Sequence, residues 1–329
     1  MNGSSRSLLW LSPLLLLAVV LSLFLGRYPA PYWTSPAMLS EDPLARQVLL
    51  NLRLPRILTA CLLGMALGAG GMVLQMLFRN PLVEPGFLGV SQGAAFGAAS
   101  AILFLGGGPL VIEAAAALCA GLGLALSYGL AQAIRYGGWV LRLVLAGIAV
   151  SALFSAGVGI LKTVADPLAQ LPGILFWTMG GLWRVTWSDL CTLLPAVIVG
   201  LTVVYLMRWR LNLLALSDET ALSVGVAVGR ERGLLLAAAV LAVATVVAVA
   251  GVVGWVGLIV PHIARRLSGA DARRALPTAM LLGAGFTLLC DDMARTLVAG
   301  EIPLGILTAL FGAVLFLGLM ISRRTRLQR

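Results

Sequence analysis

The strongest constraint on this chain is the recurrence of predominantly apolar runs, most of them about as long as a bilayer core is thick. A helix needs roughly 20 predominantly apolar residues to cross that core. The runs fall at 8–26, 56–77, 89–106, 111–134, 141–163, 190–207, 233–253, 255–267, 277–298 and 304–322. The eighth is shorter than an upright span requires. Backbone in lipid must satisfy its own hydrogen bonds, so such runs fold as helices. The expected fold class is an all-α membrane protein: about ten transmembrane helices in a compact bundle, one domain over 1–329.

Composition supports this. Apolar residues make up 60% of the chain and charged residues 11%, against roughly 25% charged in soluble domains. The net charge of +10 raises the question of nucleic acid. The arginines, however, sit in short connections between runs and form no basic face, so a nucleic-acid partner is not expected.

Their placement sets an orientation instead. With the N-terminus inside, Arg79, Arg135, Arg142, Arg208 through Arg232 and Arg265 to Arg274 all fall on the cytoplasmic side. So does the tail with Arg323, Arg324, Arg326 and Arg329. Glu41, Asp42, Asp166, Asp189 and Glu301 fall outside. Both termini are then cytoplasmic, and the short eighth span must be kept. The first run is too long for the ~7–15-residue core of a signal peptide and no A-x-A site follows it; it is expected to be retained.

Soluble-enzyme chemistry finds little support. Cys61, Cys119, Cys191 and Cys290 stand singly in apolar runs, without zinc-site or disulfide spacing. His262 is the only histidine and has no neighbouring ligands in sequence. The GVGILKT stretch at Lys162 lacks the glycine that precedes lysine in a phosphate loop. Asp291 and Asp292 raise an alternative class, a proton-coupled secondary transporter, because intramembrane acids relay protons and bind coupling ions. Finally, 70–89 faintly echoes 251–269: a glycine-rich helix end, a proline-bearing junction, a new helix. Opposite starting sides would make these inverted repeats, of helices 2–5 and 7–10.

Eight segments, in order, carry a family likeness: LRLPR (52–56), RNPLVEPGFLGVSQGAAFGA (79–98), LAGIAVSALFSA (145–156), WTMGGL (177–182), LNLLALSDETALSVGV (211–226), GWVGLIVPHIARRL (254–267), DDMARTL (291–297) and EIPLGILTALFGAVLF (301–316). In these the chain resembles the ten-helix permeases of type II ABC importers, the iron-siderophore, haem and vitamin B12 group.

That resemblance implies a bacterial inner-membrane permease that hydrolyses no ATP itself and holds no cofactor. ATP and Mg would be bound by two partner ABC ATPase subunits. The other partners would be a periplasmic substrate-binding protein, a second permease copy and membrane lipid. The cargo would be an iron-siderophore or haem, with a corrinoid or molybdate as alternatives.

The resemblance also implies site residues. Within 213–232, Ser217, Asp218, Glu219, Ala221, Leu222 and Gly225 would form the helix that couples to the ATPase. Their residue types fit a short helix: a serine N-cap, acids in the first turn, a glycine stop. Arg53, Arg56 and Arg295 match positions that dock the binding protein, where a guanidinium fork suits a carboxylate. Asn80 and Leu82 match a cytoplasmic gate, whose other element departs from the family at Val140 and Leu141.

Overall fold

The computed structural model describes residues 3–28 and 32–324; Arg326 and Arg329 lie outside them. Helix α1 (Gly3–Phe24) is followed by a two-residue strand pair, Leu25–Gly26 with Tyr32–Trp33. Two short helices, α2 (Met38–Glu41) and α3 (Pro43–Gln47), follow. A π-helical stretch (Val48–Arg53) then runs without a break into α4 (Leu54–Leu77). Next come α5 (Val90–Phe104), α6 (Pro109–Ala133), α7 (Trp139–Val164), α8 (Leu171–Met179) and α9 (Trp187–Leu206). The chain continues with α10 (Arg208–Leu214), α11 (Asp218–Ser223), α12 (Val228–Ala250), α13 (Val256–Ser268), α14 (Ala272–Thr296) and α15 (Leu304–Arg324).

Each expected span coincides with a helix, and the fold is all-α. Among the described residues, six helices are long and apolar enough to cross a membrane: 43–77, α6, α7, α9, α12 and α15. The other four spans are the shorter apolar helices α1 and α5, the thirteen-residue α13, and α14. Arginines and aspartates dilute the hydropathy of α13 and α14.

Helices α8 and α2–α3 are too short to leave a span-length run in the sequence. Thr186 at the N-cap and Asp189 in the first turn close a capping box on α9, so the chain re-enters the bundle at a defined point after α8.

Helix α4 is the axis of the bundle. It packs against α14, α12, α13 and α9, and most of its length is buried. Lipid gives helices no hydrophobic reason to associate, so close backbone approach has to supply the contact. Gly64 on α4 and Gly283 on α14 provide it: a Cβ on either would overlap the other's carbonyl. Thr287 Oγ1 donates to Ala60 O across the same seam at 2.7 Å.

A Gly64→Val chain should therefore lose at least ~1–3 kcal/mol from overpacking against a backbone that cannot yield. Gly121→Val, with open space around it, should change stability by no more than ~0.5 kcal/mol. Thermal unfolding in one detergent, the two variants side by side, checks the contrast.

The two segments whose sequences echo each other meet inside the bundle. After α4 the chain turns at 78–89 into α5; after α12 it turns at 251–255 into α13. Gln75 Nε2 donates to Gly257 O (3.2 Å) and Leu258 O (3.0 Å). The Trp255 N–H donates to Glu84 Oε2 at 3.2 Å. Side chains thus satisfy backbone groups where the helices break.

Candidate functional sites at the two ends of the bundle

One end carries α11. Ser217 caps it, its hydroxyl accepting from the Thr220 N–H at 3.2 Å. Gly225 stops it in the left-handed region, φ 79°. The Val226 N–H reaches back to Ala221 O and the Gly225 N–H to Leu222 O, the paired bonds of a Schellman stop.

Within α11 only Ala221 is buried. Leu222 and Val224 are 60% and 57% exposed, and Asp218 and Glu219 lie in the first turn. Leu222 on α11 and Val224 just after it thus point apolar groups outward, from which a marginal helix in water gains nothing.

Asp218 faces sideways as well as outward. Its Oδ1 accepts from Arg232 Nη2 (2.9 Å) and Arg79 Nη2 (3.3 Å). The Arg79 guanidinium also donates to the Leu216 carbonyl. The hydrogen bond from Arg232 is the main cause holding the Asp218 carboxyl below the usual carboxylate range. The ion pairs are thus intact at neutral pH and lost only as pH falls through that lowered value.

The turn at 79–82 lies beside α11. Arg79, at φ 51°, occupies the left-handed position where a helix stop normally takes glycine. The Asn80 N–H returns to Gln75 O, and Asn80 Oδ1 accepts from the Leu82 N–H at 2.9 Å. Asn80 and Leu82 are both exposed, so the structure brings the expected coupling helix and the expected gate turn together. Val140 and Leu141 lie at the start of α7, where the neighbouring Trp139 stacks on Phe78.

At the opposite end the three arginines are placed otherwise than expected. The docking expectation needs free guanidinium forks, but Arg53, Arg56 and Arg295 are only 6%, 8% and 8% exposed. Arg53 donates to Leu23 O (3.0 Å), Tyr28 O (3.0 Å) and Thr34 Oγ1 (3.1 Å). Arg56 pairs with Asp291 (2.9 Å) and Glu301 (2.7 Å). Arg295 donates to Leu25 O (3.0 Å), Ser22 O (2.6 Å) and Ser22 Oγ (2.7 Å), and pairs with Asp292.

A fork in bulk water would pair with any passing carboxylate; these three are already committed to α1, the segment around the strand pair, α14 and the loop after it. Asp291 and Asp292 are likewise held by arginines rather than open to a proton path. The sequence alone sets Arg295 at i+4 from Asp291 and i+3 from Asp292 on one helix. It could not foresee Ser22, Thr34 or the Asp291–Arg56 pair, because those partners come from distant parts of the chain.

Among the described residues no group of three or more His, Cys, Asp and Glu side chains could hold a metal ion. Two adjoining cavities, about 430 and 550 Å³, open between α8, the α5–α6 loop and the end of α12; Trp177 and Arg184 line both.

A bundle of long apolar helices carrying a capped surface helix at one end fits a membrane permease. The chain belongs to the FecCD transport family, which matches residues 14–322, and it is a permease of the ABC-importer class.

It is 39% identical to the molybdate import system permease of Haemophilus influenzae over 329 residues, 98% of this chain and 96% of that one. It is 40% identical to the hemin transport system permease of Yersinia pestis over 335 residues, 98% of each. A metal-chelate type ABC transporter solved in an inward-facing conformation superposes with a TM-score of 0.89 at 39% identity, covering 97% of this chain and 99% of that one.

Proposed function

We propose that this chain is the membrane subunit of an ATP-driven importer that carries a metal chelate, an iron-siderophore or haem, inward across the bacterial inner membrane. The α11 end faces the cytoplasm with both termini, and Ser217, Asp218, Glu219, Ala221, Leu222 and Gly225 form the seat for an ATPase subunit. Two such subunits, two permease copies and one substrate-binding protein make the working assembly. ATP and Mg act in the ATPases, and this chain uses no cofactor.

The observation carrying this reading is the outward-facing Leu222 of a short helix held to the bundle by the buried Ala221 and by the ion pairs of Asp218. Movement of a bound ATPase can then shift the helix and, beyond it, the gate at Asn80 and Leu82. Such a change biases two access states through differential binding.

At the other end Arg53, Arg56 and Arg295 brace the platform on which the binding protein sits. The half-exposed Glu301 and the exposed Arg46 supply its surface charges. Charges at such a rim set orientation and on-rate more than affinity.

Molybdate is the second reading of the cargo, favoured by the Haemophilus influenzae relative. The deciding experiment loads vesicles bearing the full assembly with ATP and offers radiolabelled iron-siderophore, haemin and molybdate in parallel. Accumulation of a chelate is the expected result. Accumulation of molybdate alone would move the substrate to the second reading; uptake driven by a proton gradient without ATP would sink the importer reading.

A further inference from the structure

The coupling end contains a closed circuit of side chains that joins four helices. Asp218, at the start of α11, is bound by Arg232 of α12 at 2.9 Å. The Arg232 guanidinium lies 4.4 Å from the centre of the Trp139 ring, at the start of α7. Trp139 stacks on Phe78, at the end of α4, with ring centres 5.5 Å apart and planes 22° apart. Arg79, the next residue, closes the circuit on Asp218 at 3.3 Å.

The two arginines on Asp218 are not equivalent. Arg232 is 7% exposed at its side chain, against 44% for Arg79. Arg232 is fixed between a carboxylate and an indole face, a desolvated site where cation–π attraction is strongest. Arg79 stands in solvent on a left-handed backbone at the root of the Asn80–Leu82 turn. That conformation is disfavoured for a residue with a Cβ, and Arg79's two acceptors, the Leu216 carbonyl and Asp218, lie just before and at the start of α11.

We propose that Asp218 and Arg79 form the linkage through which displacement of α11 reaches the gate turn, with Arg232 on Trp139 as the bearing against which Asp218 pivots. This rests on the coupling role given to α11 above. Pulling Asp218 away from the bundle draws the Arg79 fork with it. The turn responds because Asn80 follows Arg79 directly in the chain and the Asn80 side chain holds the Leu82 N–H. Arg79 and Asp218 are therefore positioning residues: they touch no cargo and act through Asn80 and Leu82.

The test is independent of the cargo. Spin labels go at Ser223 and, separately, at Leu82, each paired with one at Leu206, exposed at the end of α9, on a background with the four native cysteines replaced. The full complex with the ATPase is isolated in nanodiscs, and distances are measured with and without trapped ATP–vanadate. In the unsubstituted complex both labels should shift relative to Leu206. With Arg79→Gln or Asp218→Asn, the Ser223 shift should remain and the Leu82 shift should disappear; Arg79→Lys, which keeps the cation, should restore it.

Two variants at opposite ends of the pair keep the test standing if either fails to assemble. A Leu82 shift of full size in both variants overturns the linkage. A Ser223 label that ignores nucleotide in the unsubstituted complex defeats the coupling reading itself, and the linkage with it.

Discussion

An Asp291→Leu chain should lose about 3–5 kcal/mol of stability, the scale for removing one partner of a buried ion pair. Asp291 is fully buried and its carboxylate takes both fork nitrogens of Arg56. The loss comes less from the attraction forgone than from the guanidinium left behind, buried with Glu301 as its one remaining carboxylate. The companion Arg56→Met/Asp291→Leu chain removes both charges and should recover much of the deficit, since apolar replacement of a whole buried pair is often neutral or better. A double-mutant cycle on thermal unfolding in detergent measures the difference. If the double variant falls as far as the sum of the singles, the network does not work as a charge-balanced unit.

Leu222→Arg should abolish ATPase association without loss of fold. Leu222 is 60% exposed and makes no part of the core, so the bundle has no reason to unfold. A surface arginine distant from special features usually changes stability by ~0.5 kcal/mol or less. At the centre of an interface, by contrast, truncating or charging an apolar anchor can cost over 2 kcal/mol of binding. Co-purification with the ATPase, alongside a melting curve, reads both effects; intact association would mean that α11 is not the seat. Ala221→Arg provides the contrast, because Ala221 is buried and the variant should damage the fold as well.

The spans were legible because hydropathy over twenty residues is a property of the chain alone, and so was the shape of α11, whose cap and stop are encoded within nine residues. The fate of Arg53, Arg56 and Arg295 was not. The Arg56 guanidinium, for one, looks the same in sequence whether it meets water or Asp291, 235 residues away. Arg232 and Trp139 were passed over for the same reason: one stood as a flanking charge, the other as an apolar residue before a span. Their meeting over Asp218 depends on how α7 and α12 pack. Helix α8 went unseen because nine residues carry no transmembrane signature.

The π-helical stretch at 48–53 can be regarded as an α-helix that has accepted one residue too many. Each residue of an α-helix turns the chain by about 100°, so that single extra residue sets the rotation of everything before it relative to α4. Deleting Leu50 would leave a continuous helix of ordinary pitch, with every residue type kept except one. It would also swing Ala45 and Leu49, both fully buried, about 100° away from the faces they now fill. The widened turn is thus a register device: the angular position of one end of the permease depends on a count of residues, not on any single side chain.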